Sequence, residues 1–269
     1  MHIKSTIKKL VPPILIELLK KPDKYGYFGD YKIWQDAVDG AVGYDSNVIL
    51  EKVKNAVLKV KNGEAVYERD SVLFDKVQYC WPLLAGLLWI ASLNKNKLSI
   101  LDFGGSLGTS YFQNRNFLKH VDLKWTVCEQ ENFVKCGKEF FEDNVLKFIY
   151  KLTDIPKVEV SVFLASSSIQ HLEDPYEFMK GVIKMEFPYI IIDRTPFLKD
   201  TERLTIHKVR PEICESSYAS WFLNEKKFTE LFKEKYNLIA DFESLRTAPI
   251  NLGDISAYER GFIFELKKN

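Results

Sequence analysis

Along residues 49–60 apolar side chains recur at three- and four-residue steps, at Ile49, Val53, Ala56, Val57 and Val60, while Glu51, Lys52, Lys54 and Lys59 occupy the other faces. That period predicts an amphipathic helix, and Gly63 supplies its stop signal. A second helical region is expected from about Ser71 to Leu93, bent at Pro82, because proline removes a backbone donor and crowds the preceding turn. The first third therefore reads as mostly helical. Beyond Lys97 the pattern changes. Short apolar, β-branched runs (LSILDF, KWTVCE, KFIY, VSVFLA and YIIID) alternate with helical segments, which predicts βα units building a parallel sheet with helices on both faces. Asp174, Pro175 and Glu177 place a capping side chain, a first-position proline and a carboxylate in the order that starts a helix. Asn224 opens another, with Phe228, Leu231 and Phe232 on its apolar side. YNLIADF and YERGFIFEL, separated by SLRTAPINLGDIS, read as a terminal antiparallel pair.

The change of pattern near residue 97 divides the chain into an N-terminal helical cap on the acceptor side, residues 1–96, and an α/β domain, residues 97–269. Hydrophobic residues at 46% and charged residues at 28% fit an ordinary globular protein and argue against disorder. Lys and Arg number 38 against 37 Asp and Glu, so no overall positive field draws a nucleic-acid backbone, and no nucleic-acid partner is expected. Cys80, Cys128, Cys136 and Cys214 are scattered without a C-x-x-C pair and read as reduced, cytoplasmic thiols. His2, His120, His171 and His207 have no His or Cys at a short ligand spacing, so no structural metal is expected.

The first 24 residues carry six lysines against Glu17 and Asp23. Such a basic start can rest peripherally on an anionic membrane surface, at the inner face of the membrane; a solvated arm or a helix packed on its own domain are the alternatives. The apolar stretch WPLLAGLLWIASL is shorter than the roughly 20 residues a bilayer requires and reads as a buried helix.

Residues 98–112, LSILDFGGSLGTSYF, carry the chemistry: a buried strand, an acid at its end, a glycine-rich turn and a helix start. Gly104, Gly105 and Gly108 let backbone approach a ligand where a Cβ would clash, and the helix start presents free N–H groups. Tight strand-to-helix turns also use glycine for steric reasons alone. Glu129, 27 residues after Asp102, ends the next strand, where the second strand of a nucleotide-binding βαβ unit places a carboxylate that accepts both ribose hydroxyls. Aligning Gly105 and Gly108 with the last two glycines of G-x-G-x-x-G puts Phe103 where the first belongs, which counts against a nicotinamide or flavin dinucleotide.

Asp-x-Gly-Gly-x-x-Gly after a hydrophobic strand resembles the first motif of class I S-adenosylmethionine-dependent methyltransferases. The resemblance covers about residues 98–266 and implies a Rossmann-like, seven-stranded, mostly parallel sheet with an antiparallel last strand. It implies S-adenosyl-L-methionine as cofactor, with Asp102, Gly104, Gly105 and Gly108 near its methionine part, Glu129 and Gln130 at the ribose, and Ala165 and Ser166 bordering it. More narrowly, FGDYKIW, GYDS, GEAVYERDSVLFD, YCWPLLAGLL, IIIDRTPF and SYASWFLNEKKF resemble a group of predicted methyltransferases encoded among bacterial surface-polysaccharide genes. That similarity implies a small-molecule acceptor, such as a sugar, a nucleotide-linked sugar or a phosphoryl-type group such as a phosphoramidate, methylated on oxygen in capsule or lipopolysaccharide biosynthesis.

Ligands of open α/β sheets lie beyond the carboxyl ends of the strands, which puts SSSIQHLEDP and DRTPF at the reacting methyl group. His171 and Asp193 are the catalytic candidates, His171 as a general base or alternatively as a turn cap. Arg194 is the expected contact for an anionic acceptor, or else pairs with Asp193 or Glu202. About 30 residues then pass before Asn224, a length typical of a lid or acceptor loop, with His207 in a small hairpin within it. Tyr218 and Trp221 stack on a sugar or base, or fill core. Tyr67, Glu68 and Arg69 bunch polarity before a hydrophobic helix, Asp70 caps that helix, and the region folds over the cleft as part of the acceptor pocket. A non-catalytic scaffold of a polysaccharide assembly and a nicotinamide-dependent nucleotide-sugar enzyme are the competing readings.

Overall fold

The computed structural model describes residues 24–41, 46–211, 213 and 216–268. The basic start, most of the GYDS peptide and Cys214 lie outside the described residues. In the first third, strand β1 (Gly26–Tyr31) leads to helices α1 (Trp34–Asp39) and α2 (Ser46–Lys61), a hairpin of β2 (Tyr67–Arg69) and β3 (Val72–Phe74), and helix α3 (Trp81–Leu93). The five periodic apolar residues of α2 are buried, as the pattern predicts. The expected long helix from Ser71 is replaced by the hairpin, whose turn residues Asp70 and Ser71 have φ of 53° and 66°, the paired positive values of a type I′ turn. Pro82 does not bend α3. It lies in the first turn, where the missing N–H has no intrahelical partner to lose.

The remaining elements run β4 (Lys97–Phe103), α4 (Thr109–Leu118), β5 (Asp122–Cys128), α5 (Glu131–Phe140), β6 (Leu146–Ile149), β7 (Val162–Ser166), α6 (Pro175–Met185), β8 (Tyr189–Leu198), β9 (Arg203–Lys208), β10 (Ser217–Asn224), α7 (Glu225–Glu230), β11 (Tyr236–Glu243), β12 (Ile250–Asn251) and β13 (Ser256–Leu266). The pairing order is β6-β5-β4-β7-β8-β13-β11, parallel through β8, with β13 antiparallel to both neighbours. These seven strands, one of them reversed, are the α/β part of an eleven-stranded sheet, and strand order switches direction at β4, the point where such sheets open a ligand crevice. Alternation covers both faces. Ile100, Leu164 and Ile191 pack into a core shared with α2 to α5, while Leu101, Phe163 and Ile190 pack into a second with α6 and α7. Asp174 Oδ1 accepts from Glu177 N at 2.9 Å and Asn224 Oδ1 from Lys227 N at 2.8 Å, so both predicted caps form.

The connection expected as a long loop after the fifth strand is instead ordered as strand. β8 runs on to Leu198, and β9 and β10 form an antiparallel hairpin to which β1 adds a third strand. This hairpin joins β8 only at Leu223↔Phe197 and Asn224↔Leu198. Phe197 faces Tyr258 of β13 on its other edge, so β10 occupies the edge of β8 that β7 holds lower down. The three added strands therefore stand beyond the carboxyl end of β7, above the crevice. Among the described residues no helix is long and apolar enough to cross a membrane.

Candidate functional site

Between β4 and α4 the backbone turns through Gly104, Ser106 and Gly108 at φ of 70°, 56° and 89°. A Cβ on Gly104 would stand 2.4 Å from Cβ of Ser168, and one on Gly105 would stand 2.5 Å from Oδ2 of Asp102. The loop is thus held close to the β7 turn by the absence of side chains. Asp102 is buried, and Nε1 of Trp125 donates to its Oδ2 at 2.9 Å. Its Oδ1 is buried without a partner. Burial pushes its pKa up to about 7 against the lowering effect of the indole bond, because a carboxylate away from water is costly.

Glu129 follows the last residue of β5 and folds back on the glycine loop. Its Oε1 accepts from Ser106 N at 3.2 Å and its Oε2 from Gln130 N at 2.8 Å, while burial raises its pKa above the ordinary range. Each oxygen retains a lone pair, so the carboxylate can still accept a vicinal diol. Gln130 is exposed at the start of α5, Ala165 is buried at the end of β7, and Ser166 Oγ donates to Asp193 Oδ2 at 3.1 Å. An acid held by two backbone donors, with a lone pair left on each oxygen and a tight glycine turn beside it, fits the vicinal diol of a nucleoside. The orphan Oδ1 of Asp102 lies at the end of β4, two residues before this loop.

At the carboxyl ends of β7 and β8 the remaining candidates spread over three elements. His171 closes a single 3₁₀ turn, Ile169–His171, and its Nδ1 lies 3.3 Å from the carbonyl of Ala219 on β10. A carbonyl only accepts, so Nδ1 carries the hydrogen and Nε2 the lone pair. Burial lowers the pKa of His171 and keeps the ring neutral. Asp193 is buried with both oxygens engaged, Oδ1 by Cys80 Sγ at 3.5 Å and Oδ2 by Ser166. Arg194, at φ of 51°, donates from Nη2 to Asp70 Oδ2 at 3.2 Å, joining β8 to the β2–β3 turn.

Tyr67 and Glu68 are buried rather than displayed. Gln113 Nε2 donates to Tyr67 Oη at 3.2 Å. Glu68 accepts from Ser71 N at 2.7 Å and from Thr109 Oγ1 at 2.8 Å, and burial pushes its pKa up to about 7. Arg69 lies over the ring of Phe74, 5.3 Å from its centroid. His207 is stacked on Tyr27 with centroids 4.2 Å apart, has Nδ1 3.1 Å from Tyr218 Oη, and is held by burial at a pKa of about 4. Trp221 lies on the opposite face of β10 from Tyr218, donating from Nε1 to the carbonyl of Glu173 at 3.3 Å.

Asp70, expected to cap a helix, is instead a turn residue of the β2–β3 hairpin, and four further participants have no signature in the sequence. Tyr27, Arg246, Glu259 and Thr109 reach this region from β1, the β11–β12 loop, β13 and α4. The alternation Gly-Tyr-Phe-Gly in β1 offered a weak strand signal, and the others are single polar residues in polar peptides.

No protein-family model matches the chain, and no curated protein matches it. Solved structures do resemble it. An S-adenosylmethionine-dependent methyltransferase from Clostridium acetobutylicum ATCC 824 shares 10% identity over 69% of this chain and 91% of its own, with a TM-score of 0.43. The 1,6-didemethyltoxoflavin-N1-methyltransferase of Burkholderia thailandensis, crystallised with 1,6-didemethyltoxoflavin and S-adenosylhomocysteine, shares 10% over 93% of this chain and 99% of its own, with a TM-score of 0.41. LepI in complex with SAM shares 12% over 68% of this chain, with a TM-score of 0.45; the chain spans 46% of its length, about half.

Proposed function

We propose that the protein is an S-adenosylmethionine-dependent methyltransferase acting on an oxygen of a small acceptor, such as a sugar, nucleotide-linked sugar or phosphoryl-type group, in the building of a bacterial surface polysaccharide. The observation that carries the cofactor assignment is the pairing of the glycine loop with Glu129 at the switch point of the sheet. Glu129 would hold the ribose diol, and Gly104, Gly105 and Gly108 would lie against the amino-acid tail. Asp102, Ala165 and Ser166 would border the cofactor. S-adenosylmethionine supplies a sulfonium methyl, whose carbon–sulfur bond breaks with its electron pair passing to sulfur as the acceptor oxygen bonds to carbon.

His171 supports this chemistry as the general base. Its neutral ring offers Nε2 to the acceptor hydroxyl proton while the Ala219 carbonyl fixes the tautomer. Asp193 takes an orienting part, since Cys80 and Ser166 already occupy its oxygens and Ser166 borders the cofactor. The Tyr67, Glu68 and Arg69 hairpin is bonded to the helix after the glycine loop, which supports a cap over the acceptor side. The surface-polysaccharide role and any membrane contact by the basic start rest on sequence resemblance and composition.

Isothermal titration of the folded protein with S-adenosylhomocysteine tests the cofactor assignment. One-site binding is expected; a folded sample that takes up no ligand removes the reading.

A further inference from the structure

Above the crevice, beyond β7 and β8, the packed rings of Tyr27, His207 and Tyr218 share one face of the added strands. His171 packs edge-on to Tyr218 with centroids 4.9 Å apart. We propose that the acceptor side of the site, bordered by this face and the ends of β7 and β8, takes an uncharged, hydroxyl-bearing acceptor, a polyol or sugar ring, and turns away phosphorylated and carboxylated ones. The proposal rests on the methyltransferase reading and narrows its acceptor.

Charge is the first argument. Arg194, the expected anion receptor, already gives a guanidinium edge to Asp70 and lies in the fields of Asp193 and Glu259. Exposed Arg246 adds a second cation in the fields of Tyr27, His207 and Glu259. Arg69 Nε lies 3.9 Å from the same Asp70 carboxylate, so three arginines meet the three carboxylates Asp70, Asp193 and Glu259, and both histidines are kept neutral. An entering phosphate finds no surplus positive charge and has to compete with Asp70 for the one guanidinium placed at the end of β8.

Hydrogen-bond polarity is the second, and it is independent of charge. Gln170, buried in the 3₁₀ turn beside His171, donates from Nε2 to Ser167 Oγ at 3.1 Å, which leaves its Oε1 buried and without a donor. Ser220, on the same face of β10 as Tyr218, has a buried Oγ without a partner. Groups left this way are rare in native proteins and call for a partner. Asp70, Glu259 and Gln170 Oε1 can only accept, and a phosphate dianion or carboxylate can only accept as well. Hydroxyl groups both donate and accept, so a polyol satisfies all of these atoms together.

The test uses the full-length protein saturated with S-adenosylhomocysteine, a first titration that reports separately on the cofactor assignment. Methyl glycosides of glucose, galactose and mannose and N-acetylglucosamine are then titrated against glucose 1-phosphate, glucuronate and glucosamine. At least one neutral sugar should saturate, with the phosphate and uronate weaker by about tenfold or more, about one decade of affinity. Tighter binding of an anionic or an amino sugar, or cofactor-product binding with no neutral sugar bound, overturns the proposal. A second measurement uses Asp70→Asn, whose side chain is 63% exposed and whose loss frees Arg194. Binding of inorganic phosphate to this variant should rise by about fivefold or more, roughly the effect of one released charged hydrogen bond. An unchanged phosphate affinity also overturns it.

Discussion

Oε2 of Glu68 accepts the hydroxyl hydrogen of Thr109 at 2.8 Å, so the β2–β3 hairpin is latched to the first residue of the helix that follows the glycine loop. The buried carboxyl thus bridges the hairpin, through Ser71 N, and the helix after the loop, through Thr109.

That carboxyl gives a pH signature. Its pKa is about 7 in the folded protein against 4.5 as the ordinary value, so the native state holds the proton more tightly. The stability from this proton is fully present below pH 4.5 and is lost as the pH rises through 7, amounting to about 3 kcal/mol at most. Glu68→Gln keeps the site neutral at every pH. Urea melts at pH 5 and pH 8 should differ less for the variant than for the parent protein, with the share from Asp102 remaining in both. Equal differences would show that Glu68 is ionised throughout.

Glu129→Ala should weaken S-adenosylhomocysteine by about ten- to a hundredfold, the equivalent of one or two decades at about 1.4 kcal/mol each. Titration calorimetry reads this directly. The variant also frees Ser106 N and Gln130 N, so a thermal melt alongside distinguishes lost contacts from a loosened loop.

Two glycines make a controlled pair. Gly104→Ala combines a φ of 70° with a Cβ placed 2.4 Å from Ser168, and should cost about 1–3 kcal/mol together with cofactor affinity. Gly181→Ala, inside α6 with nothing within 4 Å of the new Cβ, should instead stabilise by about 0.5–1 kcal/mol. Denaturant midpoints of both variants settle the comparison.

His171→Gln should lower kcat by about 10²–10⁴-fold, the usual share of a general base, with cofactor-product affinity within about twofold of the parent. Because burial lowers the pKa of this histidine from 6.5, the base remains unprotonated in mildly acidic solution. The acid limb of kcat in the parent enzyme should therefore fall below pH 6.5. A limb centred above that value would point to another base.

Apolar runs made the central strands legible, because β4, β7 and β8 are largely buried on both faces and leave apolar stretches between turn signals. The caps at Asp174 and Asn224 were equally plain, being local chemistry. The hairpins were not. β2 and β3 are three residues each, and β9 and β10 alternate polar with apolar residues in a stretch that Arg194, Pro196 and Pro211 make look irregular. In the site, Asp102, Glu129 and the glycines could be read from strand, turn and helix in sequence. The Arg194–Asp70 pair joins residues 124 apart, and the burial of Glu68 depends on a partner 41 residues away. Neither relation has a local pattern, which is why Arg194 read as an anion contact or as a partner of Asp193 or Glu202, and not of Asp70.

The junction of β10 with β8 spans two residue pairs, Leu223↔Phe197 and Asn224↔Leu198. A wall so narrowly spliced to its scaffold is a replaceable part. Exchanging residues 199–222 for a segment of different polarity, with the carbonyl that faces His171 kept, would alter the acceptor side of the proposed site while leaving β4, β5 and the glycine turn untouched.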